Sequence, residues 1–155
     1  MNNYGKYFEE FSVGDKIDHA LTKTILESDN NLFCLLTMNH HPVHIDEEYC
    51  KKQQHGRILV VGTLVFSLIV GISVADISGK AIANLDYESI QHKNPVFIGD
   101  TLRAESEILH MKESMTKKDR GIIYVETRAY NQKNQLVLIF RRNVLIKKRM
   151  GTNDK

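Results

Sequence analysis

From about Thr63 to Ile77 the chain is apolar on nearly every helical face, broken only by small or polar residues such as Ser67, Gly71, Ser73 and Asp76. A helix without a polar side has to be enclosed. The wider apolar run, Ile58 to Ile77, also carries Gly62 and Thr63 and is not flanked by basic loops, so a buried helix fits it better than a membrane span. The layer that encloses it must come from the rest of the chain.

The second half can supply that layer. Ala81–Ile90, Thr101–Met111, Gly121–Tyr130 and Leu136–Lys147 are strand-length segments rich in Val, Ile, Thr and Tyr. Turn signals at Gly99-Asp100, Lys118-Asp119-Arg120-Gly121 and Asn131-Gln132-Lys133-Asn134 separate them. Upstream, Phe11–Lys16 reads as a turn, and Ile17–Ile25 alternates well enough for a half-buried strand. Ser28 is the expected N-cap of a short helix through Phe33, Leu35 and Leu36. Pro42 bars a continuous helix through the histidines and places His41 and His44 on a loop, while Asp46-Glu47-Glu48 opens a second short helix. This order predicts an α+β domain in which an antiparallel sheet wraps around a long central helix, the hotdog fold. One domain is expected over 7–148, with a polar tail over 149–155. A single curled sheet leaves open edges, so a homodimer or higher homo-oligomer is expected.

Charge narrows the partners. The 155 residues hold 21 basic and 19 acidic side chains, a net charge of +2, too even for a nucleic-acid-binding surface. Neither nucleic acid nor a membrane is an expected partner. Lys117-Lys118-Asp119-Arg120 and Lys147-Lys148-Arg149 read as a solvated turn and strand end, with a patch for an anionic ligand such as a nucleotide phosphate as the alternative. Cys34 and Cys50 form no CxxC pair, and Met1 to Phe11 has no apolar signal core, so a cytoplasmic location with free thiols is expected.

The chemistry-bearing stretch is Thr37-Met38-Asn39-His40-His41-Pro42-Val43-His44-Ile45-Asp46, followed by Val60-Val61-Gly62-Thr63-Leu64 at the start of the apolar helix. It puts amide, imidazole and carboxylate groups beside a helix N-terminus. A metal site is the obvious rival, but the spacing of His40, His41, His44, Asp46 and His55 matches no compact zinc pattern, so no metal is expected.

These residues resemble the MaoC-like hydratase family, which includes the (R)-specific enoyl-CoA hydratases. The family's Asp-x-Asn-Pro-x-His-x-Asp segment corresponds here to Asn39, His41, Pro42, His44 and Asp46, with Asn39 standing where the catalytic Asp belongs and His41 where the Asn belongs. The later Pro95-Val96-Phe97-Ile98-Gly99-Asp100-Thr101-Leu102 is similar to a second family element. Within the family the wording is nearest the mesaconyl-CoA and itaconyl-CoA hydratase subgroup. The resemblance implies reversible hydration of a short enoyl-CoA, with CoA carried by the substrate and no other cofactor.

Adding water across a bond conjugated to a thioester needs a base, a proton for C2, and stabilisation of the enolate oxygen. His44 is the expected base and proton carrier. Asn39 can hold the water but accepts no proton, so either His44 carries both transfers or another group helps, His41 among the candidates. Asp46 either orients the His44 ring or caps the helix that follows. The backbone N–H of Gly62 is the expected oxyanion donor, with Val61 before it in a position where the family frequently has His. Arg57 is the nearest cation for a carboxylated acyl group. A hotdog thioesterase and a non-catalytic acyl-CoA-binding module are the competing readings, since function resides in the site and not in the scaffold.

Overall fold

The computed structural model describes residues 4–149. The first three residues of the N-terminal stretch, and the expected polar tail beyond Arg149, lie outside the described residues. Two short strands, β1 (Lys16–Asp18) and β2 (Lys23–Thr24), lead into the helices α1 (Glu27–Thr37), α2 (Pro42–Ile45) and α3 (Glu47–Cys50). The apolar segment then forms α4 (Gly62–Ser73) and continues through a π-type turn, Val74–Ser78. Strands β3 (Ala81–His92), β4 (Thr101–Glu113), β5 (Arg120–Tyr130) and β6 (Leu136–Lys147) complete the chain.

The sheet is antiparallel in the order β1-β4-β5-β6-β3, with β2 also alongside β4. Its inner face packs on α4, as the hotdog arrangement requires. Leu64, Val65, Ile69 and Ile72 of the helix join Leu102, Ala104, Leu138 and Phe140 of the strands in one buried cluster. Each of these side chains except Ala104 contributes on the order of 1.5–3 kcal/mol by leaving water, and only the stripe of Thr63, Ser67 and Gly71 on the helix is exposed. Among the described residues no helix is long and apolar enough to cross a membrane.

Three local expectations are corrected. The strand expected over Ile17–Ile25 is two pieces, because His19 turns inward between them: its Nδ1 lies 2.8 Å from Asp76 Oδ2 and its Nε2 2.8 Å from Ser106 Oγ. Ser28 is not a cap but lies inside α1. Leu26 is the extended residue before the helix, and Asp29 reaches back to accept its N–H at 2.8 Å. His44 is not on a loop, since Pro42 opens the single turn α2; proline suits a first helical position, where its missing N–H would have had no partner.

Beneath the end of α4 the fold buries a cation. Arg142 on β6 is 0% exposed, donating to Ser73 Oγ at 2.9 Å and to Asn84 Oδ1 at 3.1 Å. Its Nε has no partner among the described residues, and burial holds its pKa below the ordinary guanidinium value.

Candidate active site

The histidine turn is held by its main chain as much as by its side chains. Val43 O accepts the Leu59 N–H at 3.0 Å and the thiol of Cys50 at 3.2 Å. In return His44 Nδ1 lies 2.6 Å from Leu59 O. A carbonyl only accepts, so Nδ1 carries the proton, and Nε2 of the neutral ring is left as the basic nitrogen.

Asn30, the fourth residue of α1 and fully buried, completes the frame. Its Nδ2 donates to His44 O at 2.8 Å and its Oδ1 accepts the Val61 N–H at 3.1 Å. One amide therefore spaces the histidine turn from the start of α4. Sequence reasoning passed over Asn30; the signal was a poor helix former within a short amphipathic helix.

Val61 is consequently occupied: it is the buried residue ahead of α4, with its N–H committed to Asn30. The next N–H, that of Gly62, has no acceptor among the described residues, as expected of a first helical position. Gly62 and His44 line one cavity of about 400 Å³. His55, His92, Lys93 and Asn94 form its polar side, and Leu59, Val65 and Pro95 its apolar side. Pro95 and Val96, from the second resemblance element, thus meet the histidine segment at this cavity.

The other expected site residues stand apart from it. Asn39 closes α1 through its backbone N–H, which donates to Cys34 O at 3.0 Å, and does not line the cavity. His41 caps α2, its Nδ1 accepting the Val43 N–H at 3.2 Å. Asp46 caps α3 by accepting the Tyr49 N–H at 2.9 Å. Arg57 is exposed, with its guanidinium 3.6 Å from the Phe97 ring centroid, and lines a second cavity of about 360 Å³ with Ile45 and Ile98. Among the described residues no three His, Cys, Asp or Glu side chains converge as a metal site would require. Cys34 and Cys50 are free and buried, and burial raises the Cys34 thiol above its ordinary pKa.

His92 was not anticipated at all. It closes β3, and a side chain added at Gly62 would come within 3.0 Å of its ring at Cε1 and Nε2. The residue as a whole is exposed, yet desolvation of its ring lowers its pKa below the ordinary imidazole value.

Known proteins resemble this chain over nearly its whole length. The chain is 35% identical over 147 residues to mesaconyl-CoA hydratase of Cereibacter sphaeroides, covering 95% of this chain and 43% of that protein. It is 28% identical over 130 residues to (R)-specific enoyl-CoA hydratase of Aeromonas caviae, covering 84% of this chain and 91% of that protein. A solved MaoC domain protein of Chloroflexus aurantiacus superposes with a TM-score of 0.92 at 31% identity, over 99% of this chain and 43% of that one. The chain thus spans less than half the length of the first relative and of that structure. Residues 9–130 match the MaoC like domain, and the chain belongs to that family.

Proposed function

We propose that the chain is an acyl-CoA hydratase/dehydratase, a hydro-lyase adding water reversibly across the 2,3-double bond of a short enoyl-CoA. The observation that carries this reading is the pairing of His44, with its tautomer set by Leu59 O, and the free N–H of Gly62 around one cavity. His44 Nε2 takes a proton from water as the hydroxyl bonds to C3. The electron pair of the double bond moves toward the thioester, and charge gathers on its oxygen near the Gly62 N–H, where the positive end of α4 favours it. The imidazolium then returns its proton to C2. A single histidine carries both transfers, which fits the position of Asn39 outside the cavity lining.

Similarity to mesaconyl-CoA hydratase favours a branched, dicarboxylic acyl group. The polar side of the cavity, with Lys93 and two histidines besides His44, supports that preference over Arg57, which lies on the second cavity. A homodimer fits the fold: β3 is an edge strand, and Ile82, Leu85, Tyr87 and Ile90 on it are 39–48% exposed. The two free thiols suit a cytoplasmic location.

The test follows loss of the conjugated enoyl-thioester absorbance with mesaconyl-CoA, itaconyl-CoA and crotonyl-CoA, with a thiol reagent in parallel. Absorbance loss without thiol release is expected, and His44→Ala abolishes it while leaving the fold intact. Thiol release would replace the reading with a thioesterase, and binding without either change would replace it with an acyl-CoA-binding module.

A further inference from the structure

His92 reaches the cavity by an irregularity of β3. Across the β3–β6 ladder Tyr87 faces Arg142 and Glu88 faces Arg141, but Gln91 faces Ile139 and His92 faces Leu138. Between Glu88 and Gln91, β3 spends three steps where β6 spends two, which is a bulge, and Ser89 within it takes a left-handed φ of 52°. One extra residue inverts the side-chain alternation. Without it His92 would share the outer face of Glu88 and Arg141; with it His92 lies opposite Leu138, on the face that packs against α4.

There the ring meets the first turn of the helix. A Cβ at residue 62 would stand 3.0 Å from both Cε1 and Nε2 of His92, so glycine at this position is what lets the imidazole lie against the helix start. Neither ring nitrogen has a hydrogen-bond partner among the described residues, and the ring lines the cavity shared by His44 and Gly62. A backbone N–H with no acceptor and an uncommitted imidazole thus lie side by side.

We infer that His92 is a catalytic residue whose imidazole N–H gives the thioester oxygen its second hydrogen bond, beside the backbone N–H of Gly62. This role rests on the hydratase reading. It differs from the role of His44: His92 passes no proton and stays neutral throughout, and its lowered pKa suits that task, since a ring that resists protonation donates its one N–H without acting as a second acid. The charge that builds on oxygen during hydration is then shared by two donors, the arrangement that stabilises oxyanions in acyl chemistry.

The test compares His92→Phe, which keeps a ring without an N–H, with His92→Asn, which restores a donor. Wild type and both variants are assayed on whichever of mesaconyl-, itaconyl- or crotonyl-CoA wild type hydrates fastest. Removal of one oxyanion donor is expected to lower kcat about 100-fold in His92→Phe with little change in KM, and His92→Asn recovers roughly tenfold of that loss. The thioester C=O stretch of the same ester, bound unreacted in a His44→Ala background, shifts to lower frequency, and adding His92→Phe removes much of the shift while His92→Asn keeps it. Near-wild-type kcat with an unchanged carbonyl shift in His92→Phe, or in His92→Ala should the Phe variant not fold, overturns the role of His92 alone. A wild type that hydrates none of the three esters overturns the hydratase reading and this role with it.

Discussion

Asn30 Nδ2 holds the carbonyl of His44 at 2.8 Å from within α1, while the other end of the same amide holds the Val61 N–H. Asn30→Ala leaves one buried acceptor and one N–H without their partner. The expected cost is about 2 kcal/mol in urea unfolding, and hydration falls at least about tenfold because His44, the proposed base, is no longer held at its distance from the helix start. Asn30→Asp is the sharper control: it keeps an acceptor for Val61 but sets a carboxylate oxygen against the His44 carbonyl, so activity is not restored.

Gly62→Ala should separate activity from stability. Alanine is the better helix former, so the melting temperature holds or rises. Its Cβ nevertheless displaces the His92 ring, which lies 3.0 Å from that position, and kcat falls. In a His92→Ala background the same substitution costs much less, a coupling that a double-mutant cycle on kcat measures. Equal losses in both backgrounds would show that the two sites act independently.

Acid should weaken the fold through His92. Desolvation lowers its pKa in the native state, so the unfolded chain, with an imidazole near 6.5, binds the proton more readily. The stability this group contributes is complete above about pH 6.5 and is lost as pH falls through the lower native value. Melting curves from pH 8 to pH 5 should therefore decline more steeply for wild type than for His92→Phe. Parallel curves would remove His92 from the acid response.

Arg142→Ala should be among the most damaging changes away from the cavity. It opens a void beneath the end of α4 and strips Ser73 and Asn84 of their shared donor. A loss of about 3 kcal/mol or more is expected, whereas Arg142→Met, which keeps volume and removes the buried charge, should cost distinctly less. Chemical denaturation of both variants decides it, and equal losses would point to the hydrogen bonds over the packing.

Much of this could be read before any coordinates. The all-round apolar character of the segment after Gly62 required an enclosing sheet, and the strand over Leu136–Lys147 has the bounds its pattern implied. His44 and Gly62, brought together in expectation by the family resemblance, line one cavity. Asp46 was legible too, because a carboxylate ahead of Glu47 and Glu48 acts on its own next turn. These are local properties: periodicity, caps and motif spacing depend on neighbours a few residues away.

What the tertiary structure decided depends on residues far apart in the chain. Asn30 serves two elements at once, one of them 31 residues away, and its own segment shows only a poor helix former, not the partners its amide holds. Arg142 is buried because Ser73, 69 residues upstream, meets it. His92 faces the helix only because a one-residue bulge shifts its register against β6, and register is set by pairing, which no single strand contains. The amino-acid sequence alone determined the layers and the histidine segment that lies beside them; the pairing of distant strands decided which other groups stand around His44.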